Sequence, residues 1–130
     1  QPLLYILHIA YAWIPLGCLF MAFASLGWVN QSVVIHTFSV GGIAGLMIAM
    51  MTRTALGHTG RALKAGRIEV IMYGCISLAA LSRISAGLLT GSSYTFLITL
   101  SMLAWIIGFA LYLWRYLPYL CHARIDGKQG

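Results

Sequence analysis

Four long apolar stretches separated by three short polar breaks set the pattern of this chain. They run from about Leu3 to Trp28, Val33 to Thr52, Ile68 to Leu89 and Tyr94 to Trp114. Each approaches or exceeds the roughly 20 apolar residues that a helix needs to cross a bilayer. Inside hydrocarbon a backbone pairs its polar groups within its own helix. The pattern therefore predicts an all-α integral membrane protein, with four transmembrane helices forming one unit over residues 1–130. The breaks are "VNQS", the stretch from "RTALGHTGR" (53–61) on to Arg67, and "TGSS". No internal repeat, low-complexity tract or domain linker interrupts them. The chain begins at Gln1 rather than Met, so it is expected to be processed or a piece of a longer protein. Its first segment lacks the basic start and small-residue exit of a cleaved signal peptide.

Composition agrees with that reading. The chain is 61% hydrophobic and 8% charged, against about 25% charged in a soluble domain, and its mean hydropathy is +0.89. The net charge of +6 would hint at nucleic acid on a soluble protein. Here the charges cluster at helix ends, so topology explains them and no nucleic-acid partner is expected. Arg53, Arg61, Lys64 and Arg67 lie between the second and third spans, and Arg115, Arg124 and Lys128 follow the fourth. In a four-span chain those regions share a side, and the other two loops hold no Lys or Arg. The basic side faces the cytoplasm, which puts both termini and a tail over 115–130 there. Tyr112, Trp114, Tyr116 and Tyr119 are expected to form an aromatic belt at that interface.

The polar chemistry is sparse. The chain has two acids, so general acid–base hydrolysis and carboxylate proton relays have little support. There is no phosphate-cradling glycine loop, no C-x-x-C, and no C-x-x-C-H for covalent haem attachment. Histidine, arginine, hydroxyls and methionine sulfur remain, a donor set that suits haem or copper better than magnesium or calcium. Cys18 and Cys75 are expected to be buried as small hydrophobes. Cys121 beside His122 is a metal pair by ligand softness, or a chance neighbourhood.

Arg83 lies about seven residues from the outer end of its span, so roughly 10 Å deep at the helical rise. It either snorkels to the surface or faces protein or a cavity. Glu69 and Asp126 lie toward the basic side, so its counter-anion is expected from a ligand or from protein outside this chain. His8, in "LHIAYAWIPLG", sits near the inner start of span one. His36, in "VIHTFSVGGIAG", sits near the outer start of span two. Each is a functional candidate inside lipid, or a group bonded to a neighbouring helix. Gly41 and Gly45 permit close approach of another helix, or of a flat porphyrin. Met47, Met50 and Met51 are expected to fill packing gaps. At 1.5 Å per residue His8 and His36 are about 20 Å apart along the normal, which predicts two groupings: His36 with Arg83 outside, and His8 with "RTALGHTGR" inside. There Gly57 and Gly60 permit tight or left-handed backbone, so His58 is expected on a loop rather than a helix face. Arg53 and Arg61 are forked donors for carboxylates such as haem propionates, or for lipid headgroups.

The run "HTFSVGGIAGLMIAMMTRTALGHTGRAL" (36–63) resembles that of the NnrS family of haem- and copper-containing bacterial membrane proteins, associated with nitric oxide metabolism. "LHIAYAWIPLG" (7–17), the Arg83 segment and the "RIDGKQG" tail are also similar, so the likeness spans nearly the whole chain. Family members are longer, and this chain resembles their C-terminal portion, with further transmembrane helices as partners. The resemblance implies haem b and copper, a bacterial inner membrane, and a role in nitric oxide handling or protection from nitrosative stress. His36, Arg53, His58 and Arg61 match the family run directly, and His8 a shorter motif. It implies His8, His36 and His58 as metal or haem ligands, with Arg53, Arg61 and Arg83 as propionate partners. Two alternatives stay open: a cytochrome b-type electron-transfer subunit, and a non-catalytic transporter or assembly component.

Overall fold

Long runs of Leu, Ile, Ala and Met leave lipid-embedded backbone only helical hydrogen bonding, and every regular element among the described residues is helical. The structure is a computed structural model that describes residues 2–125 and residue 127. Asp126 and Lys128 lie outside the described residues. Four helices are long and apolar enough to cross a membrane: α1 (Pro2–Ser25), α2 (Gln31–His58), α3 (Arg67–Ala86) and α4 (Ser92–Cys121).

Their ends differ from the sequence expectation for local reasons. α1 stops before Trp28 and α2 continues six residues past Thr52 because both close on a left-handed glycine. In α2 the Gly60 amide donates to the Gly57 carbonyl at 3.2 Å and the Arg61 amide to the Leu56 carbonyl at 2.9 Å, with Gly60 at φ 73°. This paired closure satisfies the last carbonyls, and only glycine takes that backbone without strain. Gly27, at φ 74°, ends α1 in the same way. α4 runs through Pro118 to Cys121, so residues 115–121, expected as tail, are helix. At 1.5 Å per residue 30 residues span about 45 Å, well beyond a hydrocarbon core of about 30 Å.

One break within a helix was not expected. Residues Thr37–Ile43 of α2 form a π-helical turn, and the Ala44 amide reaches back five residues to the Ser39 carbonyl. Such wide turns occur in short pieces, often beside functional sites. His36 is the last residue before it.

α2 and α3 are the inner helices: 50% and 44% of their apolar windows are buried, against 22% for α1 and α4. α3 packs along α4, and α1 lies on α2. The α1–α2 contact decides the role of Gly41 and Gly45. A Cβ at Gly41 would stand 2.7 Å from the Trp13 ring, and one at Gly45 2.8 Å from the Ala10 Cβ. Helix α1 therefore occupies the smooth face that the sequence left open to a helix or a porphyrin. Between α3 and α4, the Ser101 hydroxyl donates to the Ala79 carbonyl at 2.8 Å in a buried bond.

Other expectations are corrected. Cys18 is exposed and Cys75 only half-buried, because Cys18 lies on the outward side of α1, where an apolar surround suits a thiol as well as a core does. Met47 and Met50 are exposed rather than gap-filling, whereas Met72 is fully buried. Tyr112 and Tyr116 are buried and stack at 4.9 Å, so of the expected belt Trp114, 68% exposed, is the outward member.

Two glycine substitutions separate close packing from backbone entropy. Gly45→Val overpacks the α1 contact and lowers stability by about 1–3 kcal/mol. Gly57→Ala is helical, with no atom within 4 Å of the added Cβ, and raises stability by up to about 1 kcal/mol. Thermal unfolding in detergent reads both.

Candidate functional site

The two ends of the bundle carry different chemistry. At the end away from most of the basic residues, α2, α3 and α4 line an open, groove-like cavity of about 510 Å³, within the roughly 300–1,000 Å³ of ordinary ligand sites. Its polar members include His36, Arg83 and Ser101, and Val40, Ile98, Met102, Trp105 and Ile106 supply apolar walls. His36 reaches it from the turn before the π segment, Arg83 from the last turn of α3.

The histidine is oriented by its own helix. Its Nδ1 lies 2.6 Å from the Ser32 carbonyl oxygen. A carbonyl only accepts, so Nδ1 carries the proton and donates, and any lone pair of the ring is on Nε2. A backbone carbonyl behind the ring is a common way to fix the tautomer of a ligating histidine. Ser32 Oγ also stands 3.2 Å from Nδ1. Arg83 is half-buried and makes no hydrogen bond or ion pair among the described residues. Arg83 stands three residues before the end of α3, shallower than the roughly 10 Å expected from the sequence, because the helix stops at Ala86. The cavity thus presents an imidazole and a positive charge with no anion among the described residues.

The same tautomer argument applies to two other histidines. His8 Nδ1 donates to the Leu4 carbonyl at 2.7 Å and His122 Nδ1 to the Pro118 carbonyl at 2.6 Å. His8 is exposed on α1 and lines neither this cavity nor the one around His58. The expected inner grouping is therefore corrected. His58 is the last residue of its helix, not a loop residue, because the chain turns only at Gly60. The histidine that shares its cavity is His122. Arg53 and Arg61 do not line that cavity. The Arg61 guanidinium lies 3.8 Å over the Tyr119 ring, and its Nη1 donates to the Thr59 carbonyl at 3.5 Å.

At the basic end sits a group that sequence reasoning passed over. Glu69 is 3% exposed in the first turn of α3. Its Oε2 accepts the Gly66 amide at 2.8 Å, and its Oε1 accepts the Tyr116 hydroxyl at 3.0 Å. Arg115 Nε stands 3.5 Å from Oε1 without hydrogen-bond geometry. Tyr119 packs edge-on against Tyr116 at 5.7 Å. The chain Arg61–Tyr119–Tyr116–Glu69–Gly66 thus ties the connection between α2 and α3 to α4. The Thr52 and Tyr73 hydroxyls, 2.7 Å apart, link α2 to α3 nearby. The available signal was a lone acid three residues after Gly66, the spacing at which an acid bonds back to a helix start.

Residues 1–124 match the family model described as NnrS protein. The chain belongs to the NnrS family. No curated protein and no solved structure matches it. In this NnrS chain no group of three or more His, Cys, Asp or Glu among the described residues is placed to hold a metal ion.

The carboxylate makes a graded prediction. Tyr116→Phe removes one hydrogen bond to a charged acceptor and costs about 1.5 kcal/mol, while Glu69→Ala strands the tyrosine and frees the Gly66 amide, at about 2–3 kcal/mol. Arg115→Ala costs less than about 1 kcal/mol, because its side chain is 41% exposed and the pair is screened. Chemical or thermal unfolding of the three variants checks the order.

Proposed function

We propose that this chain is a haem-bearing unit of a bacterial inner-membrane protein that handles nitric oxide or protects against nitrosative stress. The carrying observation is His36, whose Nδ1 is committed to the Ser32 carbonyl while the ring lines a largely apolar cavity shared with Arg83. Haem b asks for these three things: a neutral imidazole as axial ligand, apolar walls for the macrocycle, and a cation for its propionates. His36 would offer an imidazole nitrogen to the iron and Arg83 a guanidinium to the propionates, with Val40, Ile98, Met102, Trp105 and Ile106 as apolar contacts to the macrocycle. A haem held there would supply iron chemistry toward a diatomic gas such as nitric oxide.

Family membership supports the nitric oxide assignment, and the four apolar helices support the membrane. The basic end, with Arg61, Lys64, Arg67, Arg115 and Arg124, faces the cytoplasm in this reading. Further helices of a longer chain and the surrounding lipid are its partners. Copper, also implied by the resemblance, has no cluster of three or more protein donors among the described residues, and no role here is routed through it. His8, with Nε2 free on an outward helix face, is placed to serve a ligand shared with such further helices.

The test is haem content of the purified full-length protein. His36→Ala lowers the haem-to-protein ratio at least tenfold without loss of the folded protein, and Arg83→Leu weakens retention with a smaller effect. Unchanged haem in His36→Ala contradicts the assignment.

A further inference from the structure

Helix α1 lies on α2, and α3 packs along α4, so α1 and α3 meet only loosely. Toward the basic end their seam is an open, largely apolar groove. One stretch, of about 280 Å³, runs between Tyr5 and Ile9 of α1 and Val70, Gly74 and Ser77 of α3. A second, of about 520 Å³, adjoins it at Val70 and reaches Arg67, the first residue of α3. Gly74 keeps the seam open, since a Cβ added there would meet no atom within 4 Å. From Arg67 to Ser77 the helix rises about 15 Å at 1.5 Å per residue, half of a hydrocarbon core of about 30 Å. The groove is therefore as deep as one leaflet, with its cation at the headgroup end.

Charge selects the occupant. Arg67 is exposed, and its guanidinium has no hydrogen bond, ion pair or ring contact among the described residues. No acid lines either stretch of the groove. Glu69, two residues on, is turned into the bundle, where the Gly66 amide and the Tyr116 hydroxyl occupy its oxygens. Lys64 is exposed in the same connection. Juxtamembrane Lys and Arg attract anionic lipid headgroups. A further apolar helix laid in the seam would bury Arg67 without an anion, which is costly. A phospholipid brings its phosphate to the height of the arginine and a flexible apolar chain to the depth of the groove.

We propose that the α1–α3 seam binds an anionic phospholipid of the leaflet at the basic end, its phosphate on Arg67 and an acyl chain along Val70, Gly74 and Ser77 against Tyr5 and Ile9. The site rests on the membrane reading of the four helices and not on the haem assignment, since none of its residues lines the His36 cavity.

The test is native mass spectrometry of the full-length protein, delipidated in detergent and then offered phosphatidylglycerol and phosphatidylcholine with the same acyl chains. The wild type prefers phosphatidylglycerol, and two variants separate the halves of the site. Arg67→Gln weakens phosphatidylglycerol binding about fivefold, the effect of one juxtamembrane cation, and leaves phosphatidylcholine binding as it was. Gly74→Leu fills the groove and weakens phosphatidylglycerol binding at least as much. It does so without lowering the unfolding temperature, because the new side chain enters open space and leucine is the better helix former. Equal retention of the two lipids by the wild type overturns the proposal. So does phosphatidylglycerol binding that neither variant changes, the result expected if another helix of the longer chain covers the seam. Binding of inorganic phosphate that needs Arg67 and survives in Gly74→Leu, with no lipid preference, also overturns it and makes Arg67 a free-anion site.

Discussion

The constraint on which the rest depends is that backbone amides and carbonyls in hydrocarbon must be bonded inside the structure. It forces four helices, and it pushes polar side-chain chemistry toward their ends and the one place where the helical ladder changes pitch. That place is the π-helical turn Thr37–Ile43 of α2. One residue more per turn shifts the phase of the helix about its axis, so the segment carrying His36 and the segment carrying Ala44 onward present different faces. The first looks onto the cavity with Arg83, while Gly41 and Gly45 lie under Trp13 and Ala10 of α1. Within one helix the chain thereby separates a cavity-facing residue from a close packing seam.

The opposite end is held by another logic. A single buried carboxylate, Glu69, gathers the Gly66 amide and the Tyr116 hydroxyl, with Arg115 beside it. The contacts come from two separate stretches, Gly66 before α3 and Arg115–Tyr116 on α4, so one acid locates the start of α3 against the end of α4. Tyr112 stacked on Tyr116, with Tyr119 edge-on to it, carries that order outward to Arg61. Arg61 of "RTALGHTGR" is therefore part of the architecture of this end. Arg61 shields an aromatic face, and the glycine at 60 closes the helix that presents His58.

The helices were legible in the sequence because roughly 20 apolar residues in a row admit little else. Their ends were not, since Gly60 and Gly27 act through left-handed backbone that hydropathy does not register. Depth alone sufficed to place His36 near Arg83, both being set by distance from the same end. It failed for His58, because depth says nothing about azimuth: His8 and His122 both belong to the basic end, and only the packing of α4 beside α2 selects His122. Tyr112 and Tyr116 look like interfacial anchors by position, yet their hydroxyl-bearing rings are drawn inward by Glu69 and by each other. A carboxylate that is one of only two acids in the chain reads as a topological accident until its partners are seen.

The central claim is that the His36–Arg83 cavity makes this NnrS chain a haem protein open to nitric oxide. A visible absorption spectrum of the purified full-length protein, recorded reduced before and after nitric oxide, tests it most directly. The account predicts the Soret and α/β bands of b-type haem, with a Soret shift on adding the gas that the His36→Ala protein lacks. A protein with no Soret band, or one whose bands ignore nitric oxide, contradicts it.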